Sequence, residues 1–138
     1  MFPRIMLLLC VIALTGGCES MTNKKICWQL EQNSKSYNHM IRWNEMDKAA
    51  VTLPPENLRD EFREKVRASK GVKVTDVRVK SQECSPKRGE ATVLIDIEYY
   101  REPSVTVKTV EDLQKWRYVE EEKDERVWRL MTLPPDFK

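Results

Sequence analysis

The chain has 138 residues, 33% of them charged and 41% hydrophobic, with only 4 Gly and 7 Pro. That balance excludes a collagen-like or low-complexity chain and one disordered throughout, and the length suits one domain. The formal net charge of +2 lacks the basic excess of a dedicated nucleic-acid binder, so no nucleic-acid partner is expected.

The first seventeen residues carry a single charged side chain, Arg4. Arg4, the apolar run Ile5–Leu14 and the small residues Thr15-Gly16-Gly17 have the layout of a targeting signal ending at a cleavage point. Residues 1–17 are therefore expected to be removed. Ten apolar residues fall well short of the ~20 that a spanning helix needs. Leu14-Thr15-Gly16-Gly17-Cys18 resembles a bacterial lipobox, with Thr15 standing where Leu is commonest and Leu14 one position further back. The resemblance implies cleavage between Gly17 and Cys18, acyl chains on Cys18, and a protein held on the membrane by them. Glu19, in place of the Asp that signals inner-membrane retention, implies the outer membrane, facing the periplasm. The plainer alternative is an ordinary secretory signal with Cys18 beside the cut.

Cysteine usage fits the same compartment. With Cys10 in the removed segment and Cys18 acylated, Cys27 and Cys84 remain as one possible pair. A Cys27–Cys84 disulfide is expected, with two buried thiols as the alternative.

The stretch 18–24 reads as a lipidated polar tether, followed by one domain at 25–138. From about Lys24, Ile26, Leu30, Tyr37 and Ile41 recur near a 3.6 period and predict a helix, weakened in its middle by Ser34 and Ser36. A short helix follows over Glu45–Val51, stopped by Leu53-Pro54-Pro55. Pro55 then opens a third helix with Leu58, Phe62 and Val66 on its apolar stripe and Gly71 as its C-terminal cap. Beyond Gly71 the period changes to two. Strands are predicted over Val72–Cys84, with a bulge near Thr75-Asp76, then Ala91–Tyr100, Val105–Val119 and Arg126–Thr132. Ser85–Gly89, Glu102–Ser104 and Glu120–Glu125 are the turns between them.

Helices followed by long strands predict an α+β fold, with the helices covering one face of a curved four-strand antiparallel meander. The first helix ends in Arg42-Trp43-Asn44-Glu45, with Asp47-Lys48-Ala49-Ala50 just after. With the later runs Gln114-Lys115-Trp116-Arg117 and Trp128-Arg129-Leu130, this layout resembles the NTF2-like (cystatin-like, cone-shaped) superfamily, in particular bacterial lipoproteins of that shape. The likeness covers about residues 25–133 and is one of layout and spacing. It implies a sheet curved around a pocket. The superfamily holds isomerases, dehydratases, transport factors and non-catalytic modules, so the fold alone assigns no function.

Little in the chain points to catalysis. His39, the one histidine, is expected to face solvent from the first helix. One His and two available Cys make no ordinary metal site, and no Gly-rich phosphate loop occurs, so neither metal nor cofactor is expected. Asp96 and Tyr100 share a strand face and form the one acid–hydroxyl pair a superfamily pocket could use, though a solvated face explains them more simply. Trp43, Tyr99, Trp116, Tyr118 and Trp128 are expected to pack the core, or else to line a cone for a small apolar ligand. Residues 63–88 hold nine basic and three acidic side chains, while 90–125 hold five basic and eleven acidic. Neighbouring strands would neutralise one another, or a basic edge and an acidic face would meet envelope partners. The expectation is a lipid-anchored, non-catalytic binding or assembly module with an envelope protein as partner. A carrier of a small apolar ligand and a pocket enzyme of isomerase or dehydratase type are the alternatives.

Overall fold

The structure, a computed structural model, describes residues 15–138. The apolar run Ile5–Leu14, with Cys10, lies outside the described residues. Helix α1 spans Thr15–Arg42, α2 spans Met46–Thr52, and a 3₁₀ turn at Glu56–Leu58 leads into α3 at Arg59–Ala68. Strands β1 (Val72–Ser85), β2 (Glu90–Arg101), β3 (Lys108–Glu120) and β4 (Arg126–Leu130) follow. They form one open antiparallel sheet in the order β1-β2-β3-β4. The three helices pack on one face of it, an α+β arrangement.

Helix α1 is longer than the sequence suggests and does not break. It runs through the expected tether at 18–24 and through both serines. Ser34 is buried, and its hydroxyl has partners in the Glu31 carbonyl at 3.1 Å and the Gln82 amide oxygen at 3.3 Å. A serine satisfied by the carbonyl of the preceding turn sits within a helix without ending it. Leu30, Tyr37 and Ile41 point into the core as their spacing predicts. The helix stops where Asn44 takes a φ of 57°, left-handed backbone that asparagine tolerates.

In α2, Met46, Ala49 and Ala50 are buried, and the two alanines let the short helix lie close to its neighbours. Pro54 is fully buried, and the Leu53 carbonyl accepts a hydrogen bond from the Leu130 N–H at 3.0 Å, tying the α2–α3 connection to β4. Phe62 of α3 reaches the core with no exposure, and Gly71 (φ +88°) turns the chain into β1.

Two register shifts interrupt β1. The one between Val74 and Asp76 lies where the sequence predicts a bulge, whereas that between Val79 and Ser81 was not expected. Strand β3 begins at Lys108, not Val105, because its pairing with β2 ends at Tyr99↔Lys108. Residues 105–107 therefore have no neighbouring strand and stay exposed. Past β4 the tail folds back: Pro134 and Phe137 are buried, and Phe137 meets Tyr99 edge-on at 5.0 Å.

The core is the inner face of the sheet against the helices. Val93, Ile95, Ile97 and Tyr99 of β2 alternate into it, joined by Trp116 of β3 and by Trp128 and Leu130 of β4. A Cys27–Cys84 disulfide, with 5.9 Å between Cα atoms, fastens α1 to the end of β1 across a sequence separation of 57. Closing a loop of that size contributes about 4 kcal/mol by restricting the unfolded chain.

Candidate functional site

The seven residues that the sequence offers for a pocket do not meet. Successive strand residues face opposite sides of a sheet, and β2 accordingly sends Tyr99 inward and Asp96 and Tyr100 outward. Tyr99, Trp116 and Trp128 are buried, and Tyr118 is half-buried on the same inner face. These rings fill space themselves. Trp116 packs edge-on against Tyr37 at 6.3 Å, and Tyr118 lies 5.0 Å from Trp128. The Trp128 indole N–H donates to the Ile26 carbonyl at 3.0 Å. Trp43 stands outside, 57% exposed just past the end of α1, with the Arg42 guanidinium 4.6 Å from its ring centre. His39 is exposed, as its helical position predicts, and packs on the same ring at 6.2 Å. The expected cone lining is thus divided between two faces and a helix end.

Sequence reasoning missed a polar cluster inside the helix–sheet interface. Gln114 of β3 is fully buried and donates through its amide nitrogen to the Asn38 side-chain oxygen of α1 at 2.8 Å. Its own amide oxygen accepts from the Trp116 indole at 3.3 Å. One turn of pleat away, Asp112 is 6% exposed, with one carboxylate oxygen lacking a hydrogen-bond partner among the described residues. The Tyr37 hydroxyl is buried and equally without one. Burial disfavours the charged form of both. It pushes the Asp112 carboxyl up to about 6, with the Gln114 amide pulling partly back. It also raises the Tyr37 hydroxyl well above its usual range, to which the Asp112 charge adds.

The outer face is a lattice of surface ions. Arg78 of β1 lies 3.2 Å from Glu98 of β2, and Lys80 lies 3.8 Å from Asp96 and 2.8 Å from Glu111 of β3. The basic and acidic stretches of the sequence therefore compensate one another across strands, as the cross-strand reading predicts. Asp96, the candidate acid, is one member of this lattice.

Of the several surface depressions among the described residues, two lie between a helical segment and strands of the sheet. One, of about 300 Å³, lies between Lys35, His39 and Arg42 of α1 and Asp76, Val77 and Val79 of β1. The other, of about 730 Å³, separates Pro55, Glu56 and Arg59 from the β3–β4 hairpin, where Arg117, Glu121 and Arg129 line it. Arg129 binds Glu121 and the Thr52 carbonyl across that cleft. Cys18 is exposed, the one free cysteine among the described residues, next to Glu19, which approaches Lys87 of the β1–β2 turn at 3.9 Å. No helix among the described residues is long and apolar enough to cross a membrane, and no group of three metal-ligating side chains occurs among them.

A scan against protein-family models, a search of curated proteins and a search of solved structures each found no significant match to this chain.

Proposed function

We propose that the chain is a cell-envelope lipoprotein, acylated at Cys18 and held on the outer membrane facing the periplasm. Its NTF2-like domain acts as a non-catalytic binding and assembly module for envelope proteins. The observation that carries this reading is the division of the cysteines. Cys27 and Cys84 are joined, which suits an oxidising compartment, while Cys18 is exposed and free beside the lipobox-like Leu14–Gly17. The NTF2-like layout is supported by helices preceding a meander of long strands with bulges in the β1 edge. The binding role is favoured over a ligand carrier because Tyr99, Trp116 and Trp128 are engaged in packing the core. A charged cleft at the β3–β4 hairpin offers a protein partner both signs of charge.

The test is the intact mass of the protein extracted from native membranes, with and without reduction and alkylation. A chain beginning at Cys18 with diacyl or triacyl groups, alkylated at Cys27 and Cys84 only after reduction, is the expected result. An unlipidated mass overturns the anchor. Crosslinking in intact cells should capture an envelope protein, with yield falling several-fold when Arg59 and Arg117 are changed to Glu. Turnover of an envelope substrate that Asp96→Asn abolishes would overturn the non-catalytic role.

A further inference from the structure

Trp28, midway along α1, and Trp43, just past its end, are almost equally exposed, at 58% and 57%. Trp43 is occupied by its neighbours, with Arg42 over its ring and His39 against it. Trp28 has neither an aromatic nor a cationic partner among the described residues. Helical spacing extends its stripe towards the N-terminus, since Met21 lies seven residues earlier and Lys24 and Lys25 fall between. Met21 is 74% exposed, and both lysines are exposed and enter no ion pair among the described residues. This side of α1 is turned away from Leu30, Ser34, Tyr37 and Ile41, which meet the sheet.

An unpartnered indole, a thioether and two unpaired ammonium groups on one outward stripe match a helix seated at a lipid headgroup layer. The ring and the Met side chain enter the acyl boundary, while lysine stems lie along it with their charges at the phosphates. Cys18 is one turn before Met21, so acyl chains there would bring this stripe down on the bilayer. Lys87 and Arg88 of the β1–β2 turn add positive charge at the same end, where Lys87 approaches Glu19 at 3.9 Å.

Resting on the acylation of Cys18 proposed above, we infer that the Met21–Trp28 face of α1 is a docking surface for an anionic phospholipid bilayer. The domain is thereby laid against the membrane through the N-terminal half of α1, with the β1–β2 turn at the same end.

The full-length protein, reconstituted into vesicles of phosphatidylglycerol and brominated phosphatidylcholine, tests this. The Trp28 contribution to fluorescence, read as the difference from Trp28→Phe, should lose about half its intensity to bromine contact if the ring enters the headgroup boundary. The Trp43 contribution, read from Trp43→Phe, should be unquenched. Lys24→Glu with Lys25→Glu should restore most of the lost Trp28 intensity. The mass of the same sample separates the two readings. An acylated chain whose Trp28 is as bright as Trp43 overturns the docking face and leaves the anchor standing. An unacylated chain quenched at Trp28 removes the anchor and supports the docking face, whereas one unquenched at both positions overturns both.

Discussion

Asp112 and Asp96 sit in adjacent cross-strand rows of one sheet, Asp112 opposite Ile95 and Asp96 opposite Glu111, yet on opposite faces. Asp96 lies in the outer lattice with Lys80 beside it, open to water. Asp112 lies under the helices with one oxygen unpartnered among the described residues and its carboxyl pushed up to about 6 by burial. The same side chain, moved one pleat, changes from an inexpensive surface ion to a strained internal one. Which face a strand residue takes therefore matters more here than its chemistry. The inner face carries the stability of the fold and the outer face carries its charge.

The largest effect should come from breaking the inner face at its centre. Trp116 is nearly fully buried, packs on Tyr37 and holds Gln114 by its indole N–H. Trp116→Ala is expected to cost about 3–5 kcal/mol, through lost burial and the cavity left behind. Urea unfolding measures it, and a loss near that of Leu113→Ala, on the half-exposed outer side, would erase the distinction between faces. Next comes the fastening of the inner layer. Cys27→Ser with Cys84→Ser releases α1 from the end of β1 and should cost about 2–4 kcal/mol. Thermal unfolding of the double variant beside the oxidised protein shows whether the bond contributes that much.

Asp112 gives an effect of intermediate size and opposite sign. Its folded-state pKa, raised from 3.8 to about 6, lies above the unfolded value, so the unfolded chain releases its proton first. The contribution to stability is fully present below about pH 4 and is lost as pH rises through about 6, a difference of about 3 kcal/mol. The wild-type protein should therefore gain stability on acidification from pH 7 to pH 5. Asp112→Asn keeps the shape without the charge and should be the more stable protein at pH 7, with a flatter pH profile. Parallel unfolding curves for the two proteins between pH 5 and pH 7 would contradict a buried carboxyl.

Much of this comparison is legible in the sequence, and its most informative member is not. The alternation Val93, Ile95, Ile97 and Tyr99 announces an inner face, and the 3.6 period of Leu30, Tyr37 and Ile41 announces the helix that covers it. The disulfide is legible in the sequence because, once Cys10 is read as part of a signal and Cys18 as acylated, only Cys27 and Cys84 are left to pair. On β3 the inward residues Asp112 and Gln114 are polar while Leu113 faces out, so hydrophobicity alone points the wrong way. The partner of Gln114, Asn38, is 76 residues distant, and no local pattern joins them. One signal was present: Trp116 anchors the inward side of β3, and counting back in twos from it reaches Gln114 and Asp112. The candidate pocket residues are divided for the same reason: Asp96 and Tyr100 lie on the outer face, and Tyr99, Trp116, Tyr118 and Trp128 on the inner one. The stretch 18–24 reads as a tether because its side chains are polar, and the bonds that fasten α1 to the sheet begin just after it, at the Ile26 carbonyl and Cys27.

The smallest expected effect is on the outer face, and it tests the comparison most directly. Lys80 lies 3.8 Å from Asp96 but 2.8 Å from Glu111, and all three side chains keep contact with water. Asp96→Asn removes the weaker of two partners, and Lys80 retains the nearer one. A screened, partly exposed pair of this kind contributes below ~1 kcal/mol, and less at 1 M salt, where the screening length falls to about 3 Å. Asp96→Asn should thus lower stability slightly and in a salt-dependent way, whereas Asp112→Asn, the identical chemical change one row across, should raise it by several times as much. Urea unfolding of both variants at pH 7, in low and high salt, gives the ratio. If Asp96→Asn matches Asp112→Asn in size, or its cost persists in high salt, the outer face holds charge as tightly as the inner one. Asp96 would then return as a candidate acid, with Tyr100 four residues along the same strand face as its partner.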